Sequence, residues 1–198
     1  LEWKRTPAGS FSLDVNGFLR DSDRLILLNG SAQTARFENV YSARAVGLEN
    51  AASWTAPRGL VSLDGTFTWL DHRNTSSAGQ FRALEGDRLP NRPYLFGSWG
   101  ARFHMDGTPT QDDSIEPFYY GRYVHAFFLA WESLGTGKLP VPAQISHDVG
   151  VTWLMSRDFA RLSITVELQN LTDARLYDNY GVQRPGRAFY AKITATLP

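Results

Sequence analysis

The side chains that could do chemistry are few, and their spacing argues against it. Four histidines, His72, His104, His125 and His147, stand in the chain, and none forms the four-residue pair flanking a carboxylate that a zinc hydrolase uses. Gly135-Thr136-Gly137-Lys138 has the residues of a phosphate loop without its spacing, and Pro140 follows at once. No Gly-x-Ser-x-Gly elbow presents a nucleophile. Cysteine is absent, which removes thiolate nucleophiles, thiolate metal sites and disulfides together. Asp21-Ser22-Asp23 and Asp112-Asp113 read as solvated loop charges rather than calcium ligands. An enzyme is not expected, nor a metal or a cofactor.

What remains is chemistry of contact. Phe118-Tyr119-Tyr120-Gly121-Arg122-Tyr123-Val124-His125 is the most aromatic segment. On a strand, residues 119, 121, 123 and 125 share one face, and 120, 122 and 124 the other. One reading puts Arg122, or His125 near a loop end, against an anionic ligand. The other, which we favour, makes Phe118, Tyr119 and Tyr120 part of an interfacial aromatic girdle with Arg122 hydrated inside. Arg122, His125, Trp131, Tyr177 and Tyr180 form the candidate ligand-contacting set. Asp64, Glu49, Glu167 and Lys192 are expected to form a hydrated inward ladder.

The elements that must position these residues are strands. Period-2 alternation recurs from Phe11 to Phe18, Val46 to Trp54, Val61 to Trp69, Leu95 to Phe103, Phe118 to Trp131, Ile145 to Leu154, Leu162 to Gln169 and Phe189 to Leu197. That makes about eight strands, many near the ~9–11 residues that cross a bilayer at a tilt. Leu1-Glu2-Trp3-Lys4 already looks like the middle of a strand. Aromatics make up 13% of the residues, yet mean hydropathy is −0.31 and no run nears the ~18 apolar residues of a spanning helix. Barrel strands alternate their faces and average out in this way.

Connection lengths carry a second signal. Ala56-Pro57-Arg58-Gly59 and Met155-Ser156-Arg157-Asp158-Phe159 are tight, and the link around Asp106-Gly107-Thr108-Pro109 is somewhat longer. The others, such as Asp71 to Pro93 and Ser133 to Ala143, are long and polar. A membrane barrel has short turns on one side and long loops on the other, and the lengths alternate accordingly. Lys+Arg and Asp+Glu balance at 20 each, so no field invites nucleic acid.

Several stretches resemble, in order, the carboxy-terminal part of TonB-dependent outer-membrane receptors. Phe18 to Ile26 is similar to their aromatic-arginine-isoleucine strand end, and Glu38-Asn39-Val40 with Val46-Gly47-Leu48-Glu49 to a following strand. Arg88-Leu89-Pro90-Asn91-Arg92-Pro93 resembles their step into a descending strand. Asn170-Leu171-Thr172-Asp173, Tyr177, Gln183-Arg184-Pro185-Gly186-Arg187 and the last strand resemble their closing hairpin. Within that motif Asn170, Asp173, Pro185, Gly186 and Arg187 are expected to be structural: Asn170 and Asp173 bonding backbone, Gly186 easing a bend, Arg187 pairing with a carboxylate. The family usually ends on an aromatic residue, where Leu197-Pro198 stand here.

The resemblance implies an all-β fold: an antiparallel transmembrane β-barrel whose about eight strands form the C-terminal part of a barrel of about 22. Residues 1–198 would be one segment of a bacterial outer-membrane barrel domain, without its plug. The implied activity is energised import of a scarce ligand such as a ferric siderophore. The implied partners are outer-membrane lipid, the rest of the barrel and plug, and TonB acting through that plug. Two alternatives are a self-contained small barrel serving as anchor or adhesion module, which pairs its first and last strands, and a soluble carbohydrate-binding β-sandwich.

Overall fold

Alternating segments become strand throughout the residues described by the computed structural model, 2–29, 36–157 and 160–197. They are β1 (Glu2–Thr6), β2 (Gly9–Asn29), β3 (Arg36–Thr55), β4 (Val61–Asn74), β5 (Leu95–Phe103), β6 (Met105–Asp106), β7 (Asp113–Val124), β8 (Phe127–Phe128), β9 (Pro140–Val141), β10 (Gln144–Arg157), β11 (Ala160–Gln169) and β12 (Ala188–Thr196). One antiparallel sheet runs β1-β2-β3-β4-β5-β7-β10-β11-β12, with β6 beside β7, so chain order is nearly spatial order. β8 and β9 form a separate pair. Among the described residues no helix is long and apolar enough to cross a membrane.

The register sorts the side chains by face, because directly opposed residues point the same way. One row reads Phe11, Trp54, Leu63, Ala101, Tyr119, Val149, Leu168 and Phe189 across eight strands. The neighbouring face carries Asp14, Ala51, Thr66, Ser98, Arg122 and Ser146 in one row. Slipping any strand by one residue would exchange the two faces, so the pattern fixes the register. The Thr66 and Ser98 hydroxyls, 2.8 Å apart, bond across the polar row.

Among the described residues the apolar face has no second layer. Val15, Leu63, Phe67 and Ile193 remain exposed, the last at 73%. The buried clusters lie elsewhere: Ala43, Phe81, Leu89 and Trp131 form one, and Val124, Phe127 and Val141 the other. These sit where long loops fold over strand ends. A sandwich would press its apolar rows into a dry interior, and this arrangement overturns that alternative. β1 and β12 are the two sheet edges and do not pair, which overturns the closed small barrel as well.

Three boundaries differ from expectation. The stretch between Phe18 and Val46 reads as a long loop, but β2 and β3 continue pairing from Arg20↔Ala45 to Asn29↔Arg36. A twenty-one-residue strand spans about 70 Å, far more than a bilayer needs. Charges hide the continuation in the sequence, yet they pair across the ladder, as Arg44 Nε does with Asp21 at 2.7 Å. The segment expected to run to Trp131 ends at Val124, because Phe127 turns back to bury against Val124 and Val141. The link around Asp106 is partly hairpin, since β6 pairs with Ile115 and Ser114 of β7.

The alternation of connections persists. Residues 7–8, 56–60 and 104–112 join strands at one end of the sheet. At the other end, residues 75–94, 125–143 and 170–187 make long excursions.

Candidate functional site

The polar face meets the long loops around Arg122. Arg122 stands two residues before the end of β7, directly opposite Ser146 of β10, and Gln144 opens β10 opposite Val124. The loop after β11 folds onto them: the Tyr177 amide donates to Gln144 Oε1 at 2.5 Å, and the Arg184 amide donates to the Leu176 carbonyl at 2.8 Å. Between loop and strands lies a cavity of about 300 Å³, lined by Arg122, Gln144, Ser146, Tyr177, Tyr180 and Arg184 among others. A second, of about 230 Å³, takes Arg92, Phe96 and Arg122 in its wall. A third, of about 270 Å³, takes Arg122, Asp148, Arg184 and Tyr190. Arg122 therefore stands where three cavities meet.

The electrostatics are lopsided. Among the described residues, the guanidinium groups of Arg92, Arg122 and Arg184 have neither an ion pair nor a hydrogen bond. Two carboxylates lie nearby, each with an oxygen committed to backbone. Asp148 Oδ1 accepts from the Asn170 amide at 2.7 Å, and Asp178 Oδ1 accepts from the Tyr180 and Val182 amides at 2.8 and 2.9 Å.

The loop is held at its root by Asn170 and Asp173. Asn170 is buried and donates from Nδ2 to the Ala174 carbonyl at 2.8 Å, while its Oδ1 accepts from the Ala174 amide at 2.9 Å. Both residues have left-handed backbone, φ 50 and 55, which Asn and Asp adopt more readily than most. The Arg187 amide, not its guanidinium, donates to Asp173 Oδ1 at 2.8 Å. Gly186 is needed for proximity: a Cβ there would stand 2.6 Å from Asp173 Oδ1. Pro185 lines the third cavity.

A hydrogen-bonded outer layer covers the neighbouring strand ends. Asn74, fully buried, donates from Nδ2 to the carbonyls of Phe81 and Leu84 at 2.7 and 2.9 Å and accepts from the Ser76 amide at 3.0 Å. Asp71 bonds Arg73 at 2.7 Å and Arg88 at 2.9 Å. Arg88 also pairs with Glu132 at 3.6 Å, and the Ser133 hydroxyl donates to Asp87 at 2.6 Å. The loops after β4 and β7 are thereby fastened together.

The candidate residues divide accordingly. Arg122, Tyr177 and Tyr180 come together at the first cavity. Trp131 is 3% exposed, tilted against Phe81 at 5.8 Å in the outer layer. His125 accepts or donates at Nδ1 with the Tyr123 hydroxyl at 2.7 Å, packs edge-on to Tyr94 at 4.8 Å, and lines none of these three cavities. Of the proposed girdle, Tyr119 lies on the apolar face, where its hydroxyl meets His147 at 2.8 Å and accepts from Trp99 Nε1 at 3.1 Å. Phe118 and Tyr120 are on the polar face, over Gly150 and Gly100, because alternate residues of a strand cannot share a side. Asp64, Glu49, Glu167 and Lys192 share the polar face. Gln144 and Arg92 were not singled out as site residues, since nothing in local spacing distinguishes a Gln at a strand start or an Arg between prolines.

The model of the TonB-dependent receptor-like β-barrel family matches residues 1–171. The ferric preacinetobactin receptor BauA of Acinetobacter baumannii is similar with a TM-score of 0.68 at 17% identity, over 95% of this chain and 27% of that one. The ferric yersiniabactin uptake receptor FyuA of Yersinia pestis gives 0.64 at 20%, over 98% and 26%. The ferric-catecholate import receptor Fiu of E. coli K12 gives 0.60 at 14%, over 92% and 25%. The chain thus spans about a quarter of the length of these receptors. No curated protein matches the sequence.

Proposed function

Because the chain belongs to the TonB-dependent receptor-like β-barrel family, whose members are outer-membrane proteins, we propose that it is the C-terminal wall of an outer-membrane import receptor. In this reading residues 1–198 are one stretch of a single barrel domain. Its apolar rows face lipid, and its long loops face the outside. The remaining strands and a plug complete the barrel, and TonB acts through that plug. The ligand is a scarce nutrient complex, with a ferric siderophore the first candidate. Structures similar to this fold are receptors for ferric preacinetobactin, ferric yersiniabactin and ferric catecholates.

The observation that carries the reading is the placement of Arg122, Tyr177, Tyr180 and Arg184 around one cavity, on the polar face, at the long-loop end. A ligand arriving from outside meets that end first. Chemistry is not required of these residues; they bind and release. The test is uptake of radioactive ferric siderophores by iron-starved cells, with and without the intact full-length gene, in energised and TonB-deficient backgrounds. Loss of uptake of at least one chelate in both the deletion and the TonB-deficient strain is expected. Unchanged uptake of every ferric chelate would refute it.

A further inference from the structure

The first cavity holds an imbalance that general import does not account for. Gln144 lines it and is 7% exposed, yet its Nε2 is buried with no hydrogen-bond acceptor. The orientation of the amide is set by chemistry: Oε1 is the atom that accepts the Tyr177 amide, so the opposite atom must be the donor. A buried donor left unpaired is costly, and native structures rarely tolerate one without a partner arriving from elsewhere. Beside it stand two guanidinium groups, Arg122 and Arg184, with no partner among the described residues, and the Ser146 hydroxyl. Each guanidinium offers five N–H donors and no acceptor. Asp178 also lines the cavity, but its Oδ1 already takes two loop amides. The lining thus carries two unpaired guanidinium groups and a buried unpaired amide donor against a single carboxylate, an excess of positive charge and of strong donors.

We infer that this cavity is a subsite for an oxyanionic group, a carboxylate carried by the imported ligand, held by Arg122, Arg184 and the Gln144 amide. The inference rests on the import reading and narrows its ligand class to carboxylate-bearing chelates. Guanidinium groups match carboxylates in a two-pronged geometry, and charge-assisted bonds of this kind are roughly twice as strong as neutral ones. The loop that roofs the cavity is fastened through Tyr177 to the same Gln144, so filling the subsite and seating the loop are coupled. A plug carboxylate is the rival occupant. The location of the cavity under the long loop after β11 favours a group entering from outside.

The test uses the purified full-length receptor in detergent, with tryptophan fluorescence as the reporter and two iron chelates as probes. One is ferric citrate, which carries free carboxylates; the other is a neutral ferric tris-hydroxamate. Ferric citrate is expected to bind at least tenfold more tightly. Arg122→Gln and Arg184→Gln should each weaken it about tenfold, and weaken it more than they weaken the hydroxamate, while Asn16→Ala, at an exposed position of β2, should leave both affinities unchanged. Gln144→Glu, which keeps the bond to Tyr177 but replaces the donor with an anion, should abolish citrate binding. Equal affinities, indifference to the arginine substitutions, or no binding of either probe would overturn the inference. Cells would separate the two failures: continued import of some ferric chelate leaves the receptor reading intact, whereas none would remove it too.

Discussion

Asn74 offers the sharpest test of how the outer layer is held. Its side chain makes three hydrogen bonds inside the loop after β4: to the Phe81 and Leu84 carbonyls at 2.7 and 2.9 Å, and from the Ser76 amide at 3.0 Å. It is 0% exposed, so water cannot take over any of them. Asn74→Ala removes all three and leaves a small void. At about 1 kcal/mol net per bond, the loss is roughly 3 kcal/mol, about a hundredfold in the ratio of closed to open loop. Asn74→Asp is expected to cost at least as much, since it keeps the acceptor for Ser76 but sets a second oxygen against two carbonyls. Asn16→Ala, at an exposed position of β2, should cost nothing measurable. The assay is hydrogen exchange by mass spectrometry on the full-length receptor. It should follow the amides of Gly86 and Leu89, which donate to the Asn74 and His72 carbonyls at 2.8 and 2.9 Å. Exchange there should speed by one to two orders of magnitude while the β10–β11 ladder keeps its protection. Exchange within threefold of the parent in both Asn74 variants would mean that these bonds do not hold the loop closed.

Other substitutions probe other levels. A Cβ at Gly121 would stand 2.1 Å from the Trp99 ring, whereas one at Gly17 meets nothing within 4 Å; Gly121→Leu should destabilise the folded barrel by about 1–3 kcal/mol in urea titrations and Gly17→Leu should not. Phe67→Lys, on the apolar face, should cost roughly 2–4 kcal/mol, and Thr66→Lys on the polar face far less, measured by refolding yield in detergent. His104, between β5 and β6, is bonded at Nδ1 to Glu116 at 2.8 Å and at Nε2 to Asp106 at 2.9 Å, and chiefly the Glu116 bond raises its pKa above 6.5. A raised histidine pKa stabilises the fold while the ring is protonated, so that contribution is complete below the unfolded value and is lost as pH rises through the folded one. The unfolding midpoint should therefore fall as pH rises above the ordinary histidine range, and His104→Gln should remove that slope.

Legibility in the sequence followed physical locality. Strands with one lipid-facing and one hydrated side must alternate, so Val61 to Trp69 and Leu95 to Phe103 read directly as β4 and β5. The β2–β3 extension did not, because above an apolar band both faces of a hairpin are wet and Asp21 and Arg44 carry no period-2 signature. In the closing motif only Asn170 acts locally, on the Ala174 backbone four residues on, whereas Asp173 takes the Arg187 amide fourteen residues away. The outer layer was opaque: Asn74, Asp71 and Arg88 act on partners that folding brings near, and Trp131 among loop residues looks the same whether it binds a ligand or fills a core. Gln144 was opaque for the same reason, its importance arising only when Tyr177 folds onto it.

Odd and even residues of each strand should inhabit different solvents, and β4 is where that difference can be measured residue by residue. This chain has no cysteine; with any cysteines in the rest of the full-length receptor replaced, single cysteines can be placed at each position from Val61 to Trp69 and spin-labelled in liposomes. Accessibility to oxygen, which concentrates in lipid, should peak at 61, 63, 65, 67 and 69. Accessibility to a water-soluble nickel chelate should peak at 62, 64, 66 and 68. A profile without period 2, or one with its phase reversed, would contradict the account.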